Sequence, residues 1–344
     1  MSTYQLPLKK ILINFIFLSL FFSHSLYAAS PFTLLIIDSS KGMPYQLVSE
    51  KLIEELAHLG YKQGENLYIE YYSLSQHPGM INNVWSIESK KNYSAIFVNG
   101  TLATMGMAQL ALDAPHTNFV FATVAEIKQL GLVKSCNELP LHNFTGVCLQ
   151  VDTQRLMDLF HTTLPSLKSL GMFYTDTVES RYCKHSLETL IESDKTHPIN
   201  FISQEVPYIK SDLGYLRMIE IIKPQLSAVN AQVEGFIASC DYMNTSPEYA
   251  RMMGEMATVP FYGLSYESVM KVTPGATLSL FPDLKDIAKK SAVIIEQIFK
   301  GKAAKEIIPL TAENAIAINK KLAKRFHLNL PNTLIQQANK NIIE

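Results

Sequence analysis

The sequence lacks most of the features that mark enzymes and nucleic-acid binders. It holds one tryptophan, Trp85, and four cysteines in 344 residues. No C-x-x-C pair and no Cys/His ligand spacing occurs, which argues against a zinc site. The 30 basic and 31 acidic side chains leave a net charge of −1, with no long run of one sign, so no nucleic-acid partner is expected. The nine histidines are scattered, and none sits in an H-E-x-x-H motif. There is no G-x-S-x-G elbow, no Walker loop and no G-x-G-x-x-G turn. The chain therefore reads as a non-enzyme, with no cofactor and no metal expected. Beyond the N-terminal region, no apolar run reaches the roughly 20 residues that a membrane-spanning helix needs. No Gly/Ser linker or low-complexity stretch divides the chain.

What is present begins with an export signal. Lys9 and Lys10 precede the apolar run Ile11–Phe22, which only Asn14 and Ser19 interrupt, and small residues follow around Ala28, Ala29 and Ser30. That order is the order of a secretory signal peptide. Residues 1–28 are read as the signal, cut near Ala28, and no nearby cysteine offers a lipid attachment point. A free, soluble periplasmic protein is the expected product. Hydrophobic residues at 47% against 18% charged ones allow a sizeable core, and the length suits two lobes. Export exposes Cys136, Cys148, Cys183 and Cys240 to an oxidising compartment. Pairing of Cys136 with Cys148 and of Cys183 with Cys240 is one reading; four buried thiols acting as small hydrophobes is the other.

Strand and helix signals alternate along the chain. Short β-rich runs fall at 32–37, 67–72, 94–99 and 118–123, with helical patterns at 44–59, 80–89 and 102–112 between them. The series resumes with strands at 170–175, 200–206, 233–238 and 260–263 and helices at 181–192, 212–222 and 246–257. A strand-like run at 275–280, a long amphipathic helix at 284–299 and two short helical patterns broken by Pro331 complete it. Such alternation calls for an α/β fold of parallel sheets covered by helices. Two series imply two Rossmann-like lobes joined by short crossover strands. The expected lobes are 32–150 with 273–301, and 151–272 with 302–344. Ligands of such folds sit beyond the carboxyl ends of the strands, so a shared cleft is expected there.

Several segments together resemble one family. Leu59-Gly60-Tyr61-Lys62-Gln63-Gly64-Glu65-Asn66 resembles an LGYxxGxN turn, and Gly100-Thr101-Leu102-Ala103 a GTxA turn. Gly131–Ser135 with Asn143–Val147 resembles a GLVxS…NxTGV stretch, and Ala317–Ala323 with Leu328–Pro331 a family tail. The order resembles that of ABC-transporter substrate-binding proteins related to tryptophan and other aromatic amino-acid binders. The resemblance implies a type I periplasmic-binding-protein fold, a small solute such as an amino acid, and an ABC permease of the inner membrane as partner. The chain is then expected to act as a monomer that captures solute by hinge closure. A ligand sensor that signals to a membrane receptor is the alternative. The chain departs from the family pattern at Val124-Ala125-Glu126, at His327 and at Phe281-Pro282-Asp283. Some of these changes are expected to touch cleft-side loops, and so to bear on the ligand rather than on the fold.

Strand ends supply the candidate binding residues. Gly100 and Thr101 open a helix directly after a strand, where free N–H groups suit an anion. Ser39 and Ser40 follow the first strand, and Thr123 ends the fourth. On the other lobe Thr175 ends a strand and Ser180 starts a helix. Asp241 suits a ligand ammonium, a placement the resemblance also implies, and Tyr242 suits an apolar or aromatic group. Tyr262 ends the next strand. Each has a plain alternative as a helix cap, turn residue or core residue.

Overall fold

The short apolar runs at 32–37, 67–72, 94–99 and 118–123 become parallel strands; those at 32–37, 94–99 and 118–123 are buried along most of their length, whereas the run at 67–72 lies at the sheet edge and is largely exposed. The computed structural model describes residues 31–344, apart from 126 and 150–152. The expected signal segment, 1–28, lies outside these residues. In the first half β1 (Phe32–Asp38), β2 (Leu67–Ser73), β3 (Ala95–Asn99) and β4 (Phe119–Val124) alternate with α1 (Tyr45–His58), α2 (Met80–Glu88) and α3 (Thr101–Leu110). β5 (Phe144–Cys148) extends the sheet, whose order is β11-β5-β4-β3-β1-β2 with β11 (Leu310–Thr311) at one edge. All its pairings are parallel.

Strand periodicity divides the core of this lobe into two layers. Leu34 and Ile36 pack on one face with Val48, Leu52 and Leu56 of α1. Ile287, Ile294, Ile295 and Ile298 of α9 (Leu284–Phe299) complete that layer. Leu35 and Ile37 point the other way, against Ile81, Val84, Ala103 and Met107 of α2 and α3. Each such buried aliphatic side chain contributes about 2 kcal/mol.

The second sheet has the order β13-β12-β10-β9-β8-β6-β7. Its first strands are β6 (Ser169–Thr175), β7 (Asn200–Val206), β8 (Gly235–Ile237) and β9 (Phe261–Gly263). The helices α4 (Thr153–Thr163), α5 (Val178–Ser193), α6 (Gly214–Asn230), α7 (Pro247–Met256) and α8 (Tyr266–Met270) accompany them. β10 (Leu278–Pro282) pairs parallel with β9 and antiparallel with β12 (Asn314–Asn319). The C-terminal α10 (Lys320–Arg325), α11 (Asn332–Ala338) and β13 (Ile342–Ile343) close this lobe. Among the described residues, β10/β12 is the one antiparallel pair of the sheet.

Two strands differ from the expected lobe boundaries. β10 lies in the second sheet, although the sequence pattern places 273–301 in the first lobe; only α9 of that segment packs there. β11 lies in the first sheet, beside β5, although the sequence pattern places 302–344 in the second lobe. Periodicity marks a strand but carries no label for its sheet, which long-range pairing decides. The segments at 144–148 and 314–319 form strands that the alternation did not mark, and α6 runs past Pro224 to Asn230.

Among the described elements the chain therefore changes lobe three times: between β5 and α4, between β10 and α9, and between β11 and β12. Asp283 occupies the second crossing. Its carboxylate caps α9 by accepting from the N–H groups of Lys285 (2.9 Å) and Asp286 (3.4 Å). Its own N–H donates to Glu313 O on the third crossing at 2.8 Å. Replacing Asp283 with Ala removes the cap and is expected to cost about 1 kcal/mol, read as a lower denaturant midpoint. An unchanged midpoint would show that the cap does not hold this crossing.

Candidate functional site

β1, β3 and β4 end at one edge of the first sheet, and the polar residues at those ends form a chain of hydrogen bonds. Thr123 Oγ1 donates to Asn99 Oδ1. Asn99 Nδ2 donates to Asp38 Oδ1 at 2.9 Å and to the Tyr45 carbonyl at 3.0 Å. Asp38 also accepts from Ser49 (2.7 Å) and Tyr71 (2.9 Å). Burial pushes the Asp38 carboxyl up to about 6, against the opposing pull of those hydrogen bonds. Thr123 itself has φ +50°, a left-handed conformation that β-branched residues avoid. Its hydroxyl bond to Asn99 and its place in β4 hold it there, at a cost of about 1–3 kcal/mol.

This chain underlies a cavity of about 330 Å³ that both lobes line, at the small end of the range for small-molecule sites. The first lobe supplies Tyr45, Thr101, Thr123, Ser135 and Asn137, and the second supplies Glu179, Asp241, Tyr242, Thr245, Tyr266 and Glu267. Phe281 and Leu284, on either side of the second crossing, line it as well. Cys136 pairs with Cys148 and Cys183 with Cys240, so each lobe presents one disulfide to the cavity wall.

The acidic groups divide into two kinds. Asp241 is buried and satisfied from within: Thr175 N (3.2 Å) and Ser180 Oγ (2.6 Å) donate to Oδ2, and Asn244 N (2.9 Å) to Oδ1. Asn244 Nδ2 reaches both oxygens at 3.1 Å. Glu179 and Glu267 form no ion pair among the described residues. Burial pushes Glu179 up to about 7, with Asp241 adding repulsion, while its own N–H and Thr177 pull the other way. Burial also raises Glu267, which is 7% exposed, against its own N–H and the charge of Lys271. Among the described residues the only basic side chain on the cavity wall is Lys128, which is exposed.

Apart from Ser40, the expected site residues separate into three groups. Thr101, Thr123, Asp241 and Tyr242 line the cavity. Ser39, Gly100, Thr175 and Ser180 support its walls from behind. Ser39 Oγ donates to Asn99 O and accepts from Ala103 N, capping α3. Gly100 has φ +100°, and a Cβ there would collide with Ser39 and Tyr45. Ser180 joins Asp241 to Ser239, and Thr175 donates to both Ser180 and Asp241 through its N–H. Tyr262 does not reach the cavity. Its hydroxyl pairs with Thr163 at 2.8 Å and its ring packs on Phe160. Strand alternation turns it into the core, while the residues after the strand, Leu264–Glu267, line the cavity. Glu267 and Tyr266 escaped the sequence reading because the five-residue α8 is too short to show a period.

Ser40 plays a different part. It donates to Asp212 Oδ1 at 2.6 Å, and Lys41 N donates to the same oxygen at 3.2 Å, both across the two lobes. Burial raises the Asp212 carboxyl, but the bonds from Ser40, Lys41 and Ser75 outweigh it and hold it below the ordinary value. Tyr208 donates to Gln76 Oε1 at 2.7 Å, and Tyr242 to the carbonyls of Lys41 and Asp212. The rings of Tyr45 and Tyr242 stack at 6.3 Å across the same seam. These contacts latch the lobes together. Combining Ser40→Ala with Asp212→Ala is expected to enlarge the radius of gyration in solution scattering and to leave the melting temperature nearly unchanged. A scattering profile identical to that of the unaltered chain would remove the latch from the account.

Comparison with known proteins agrees with this architecture. A structure of a conserved domain protein from Vibrio cholerae aligns over 91% of this chain and 99% of its own, at 19% identity and a TM-score of 0.75. The ABC domain from Streptococcus pneumonia in complex with L-Trp aligns over 92% and 100%, at 17% identity and a TM-score of 0.75. A Bacillus halodurans ABC transporter solute binding protein with bound myo-inositol aligns over 86% and 98%, at 12% identity and a TM-score of 0.56. At these identities the likeness is one of fold, that of type I periplasmic-binding proteins. No curated protein sequence matches the chain. The family model for ABC transporter substrate binding proteins matches residues 45–342, nearly the whole described chain, and this protein belongs to that family.

Proposed function

We propose that the chain is the periplasmic solute-capturing component of an ABC importer, and that its solute is an amino acid with a large apolar or aromatic side chain. The observation that carries this reading is the pair Glu179 and Glu267, carboxylates without ion-pair partners among the described residues, in a cavity walled by Tyr45, Tyr242, Tyr266 and Phe281. An ammonium group satisfies the carboxylates, and the rings take the side chain. The solute carboxylate fits the start of α3. There Thr101 accepts the Ala125 N–H at 3.1 Å, which leaves its own hydroxyl hydrogen for the cavity. The L-Trp complex of the Streptococcus protein is consistent with such a ligand. In this reading the signal peptide is removed near Ala28. A monomeric chain then closes on solute, because the closed state makes contacts from both lobes that the open state cannot. The closed form is what the inner-membrane permease receives.

A thermal-shift screen of free amino acids and their decarboxylated amines tests this. Large apolar and aromatic amino acids are expected to raise the melting temperature, and the matching amines to do so less. No stabilisation by any amino acid at millimolar concentration would sink the assignment. Glu267→Gln is expected to weaken binding roughly 10- to 100-fold, the loss of one charge-assisted contact. The same change removes a buried carboxylate with no ion-pair partner, so the solute-free protein should be no less stable.

The pH dependence follows from Glu179. Its folded pKa lies above its ordinary value of 4.5, so the solute-free fold favours the protonated form. Its contribution to stability is present below about pH 4.5 and is lost as pH rises through about 7. An ammonium ligand needs the ionised carboxylate, so affinity is expected to rise over that window and to level off above it. Glu179→Gln should flatten the titration in calorimetry; a slope that survives the substitution assigns the effect to another group.

A further inference from the structure

A second cluster of titratable side chains lies on the second lobe, and none of its members lines the cavity between the lobes. His161 sits in the last turn of α4, and its Nε2 is buried without a hydrogen-bond partner among the described residues. Asp194 follows the last residue of α5 and divides its work between two oxygens. Oδ1 holds the turn: it accepts from Thr196 N (2.9 Å), Thr196 Oγ1 (2.6 Å) and His197 N (3.2 Å). Oδ2 lies 3.6 Å from His161 Nε2 and 3.4 Å from His197 Nδ1.

We propose that His161, Asp194 and His197 form a binding site for one divalent transition-metal ion of the zinc or copper class. The site uses no cysteine, so the cysteine spacing that argued against zinc does not bear on it. Two ligand atoms bound to Zn2+ at about 2.1 Å in a tetrahedron stand about 3.4 Å apart. Both Asp194–His distances are close to that edge. The two imidazole nitrogens lie within 4.8 Å of each other. They need to draw together by at most about 1.4 Å to reach the same edge. His197, whose side chain is 55% exposed, can supply the movement. Two imidazoles and one carboxylate suit zinc and copper, and the exposed side leaves room for water as a fourth ligand.

A plain pair of His–Asp ion pairs accounts for the cluster less well. Their N–O distances exceed hydrogen-bond length for His161, and the imidazole rings stand 4.5 Å apart, where two imidazolium charges repel. One ion between neutral rings removes that repulsion and satisfies the buried Nε2. In the absence of the ion, His197 Nδ1 is 2.8 Å from Thr196 Oγ1; binding the metal there displaces any proton on Nδ1 to solvent. The bound ion would staple the end of α4 to the turn between α5 and β7, within one lobe and apart from the solute cleft.

The test is calorimetry and thermal shift on the full, tag-free mature chain with Zn2+ and then Cu2+. Expected are one ion per chain at micromolar affinity and a melting temperature raised by a few degrees. His161→Gln, Asp194→Asn and His197→Gln should each weaken binding at least tenfold. The exposed His197 variant provides the check on folding, and solute-free circular dichroism should be unchanged in it. With Cu2+, paramagnetic resonance should show coupling to two nitrogens, reduced to one in either histidine variant. The proposal is overturned if neither ion binds below about 1 mM, or if the double variant His161→Gln/His197→Gln retains full affinity.

Discussion

All strands of the first sheet run parallel, and so do most of the second. A parallel sheet gathers the carboxyl ends of its strands on one edge, with the starts of the following helices beside them. Polar side chains that would be costly in the core collect there, where backbone N–H groups and neighbouring strand ends can satisfy them. In this protein the two edges face each other. That arrangement places Thr101, Thr123 and Tyr45 opposite Glu179, Asp241 and Glu267, and it makes one cavity out of residues as far apart in sequence as Met43 and Thr311.

The cleft is also where the structure departs from its most comfortable state. Thr123 holds a left-handed backbone. Asp38 is buried beneath it with a raised pKa, restrained by Ser49, Asn99 and Tyr71. Glu179 and Glu267 are pushed up by burial, without ion pairs among the described residues. Asp241 shows the contrast: its oxygens are filled by donors from its own lobe. Satisfied acids build walls, whereas unsatisfied ones retain binding capacity. The latch at Ser40 and Asp212 holds the two lobes together. Two of the crossings between the lobes are tied to each other by the Asp283–Glu313 bond.

Much of this was legible from local pattern. The first-lobe runs at 32–37, 67–72, 94–99 and 118–123 became β1 to β4 within a residue or two, since each is a short apolar run between turn signals. Thr101, Thr123, Asp241 and Tyr242 reach the cavity wall because each stands at the end of a strand or shortly beyond it. The same rule misled at Tyr262, which lies inside its strand rather than beyond it and turns to Thr163. It also brought in Ser40, whose partner Asp212 lies 172 residues away and could not be read from its neighbours. Glu267 lay in a helix too short to carry a period.

The sequence by itself determined the alternation of strands and helices, the lack of catalytic motifs and the residue types available at strand ends. These are local properties: side-chain periodicity, turn chemistry and composition act over a few residues. Only the tertiary structure decided which sheet β10 and β11 join, which strand-end residues face the cavity, and which carboxylates are left without partners. Those outcomes depend on pairing and burial between segments far apart in the chain, and a local pattern contains no term for them. His161 and the pair Asp194 and His197 make the same point: ordinary scattered residues in sequence, they become a three-ligand cluster only when α4 packs beside the end of α5.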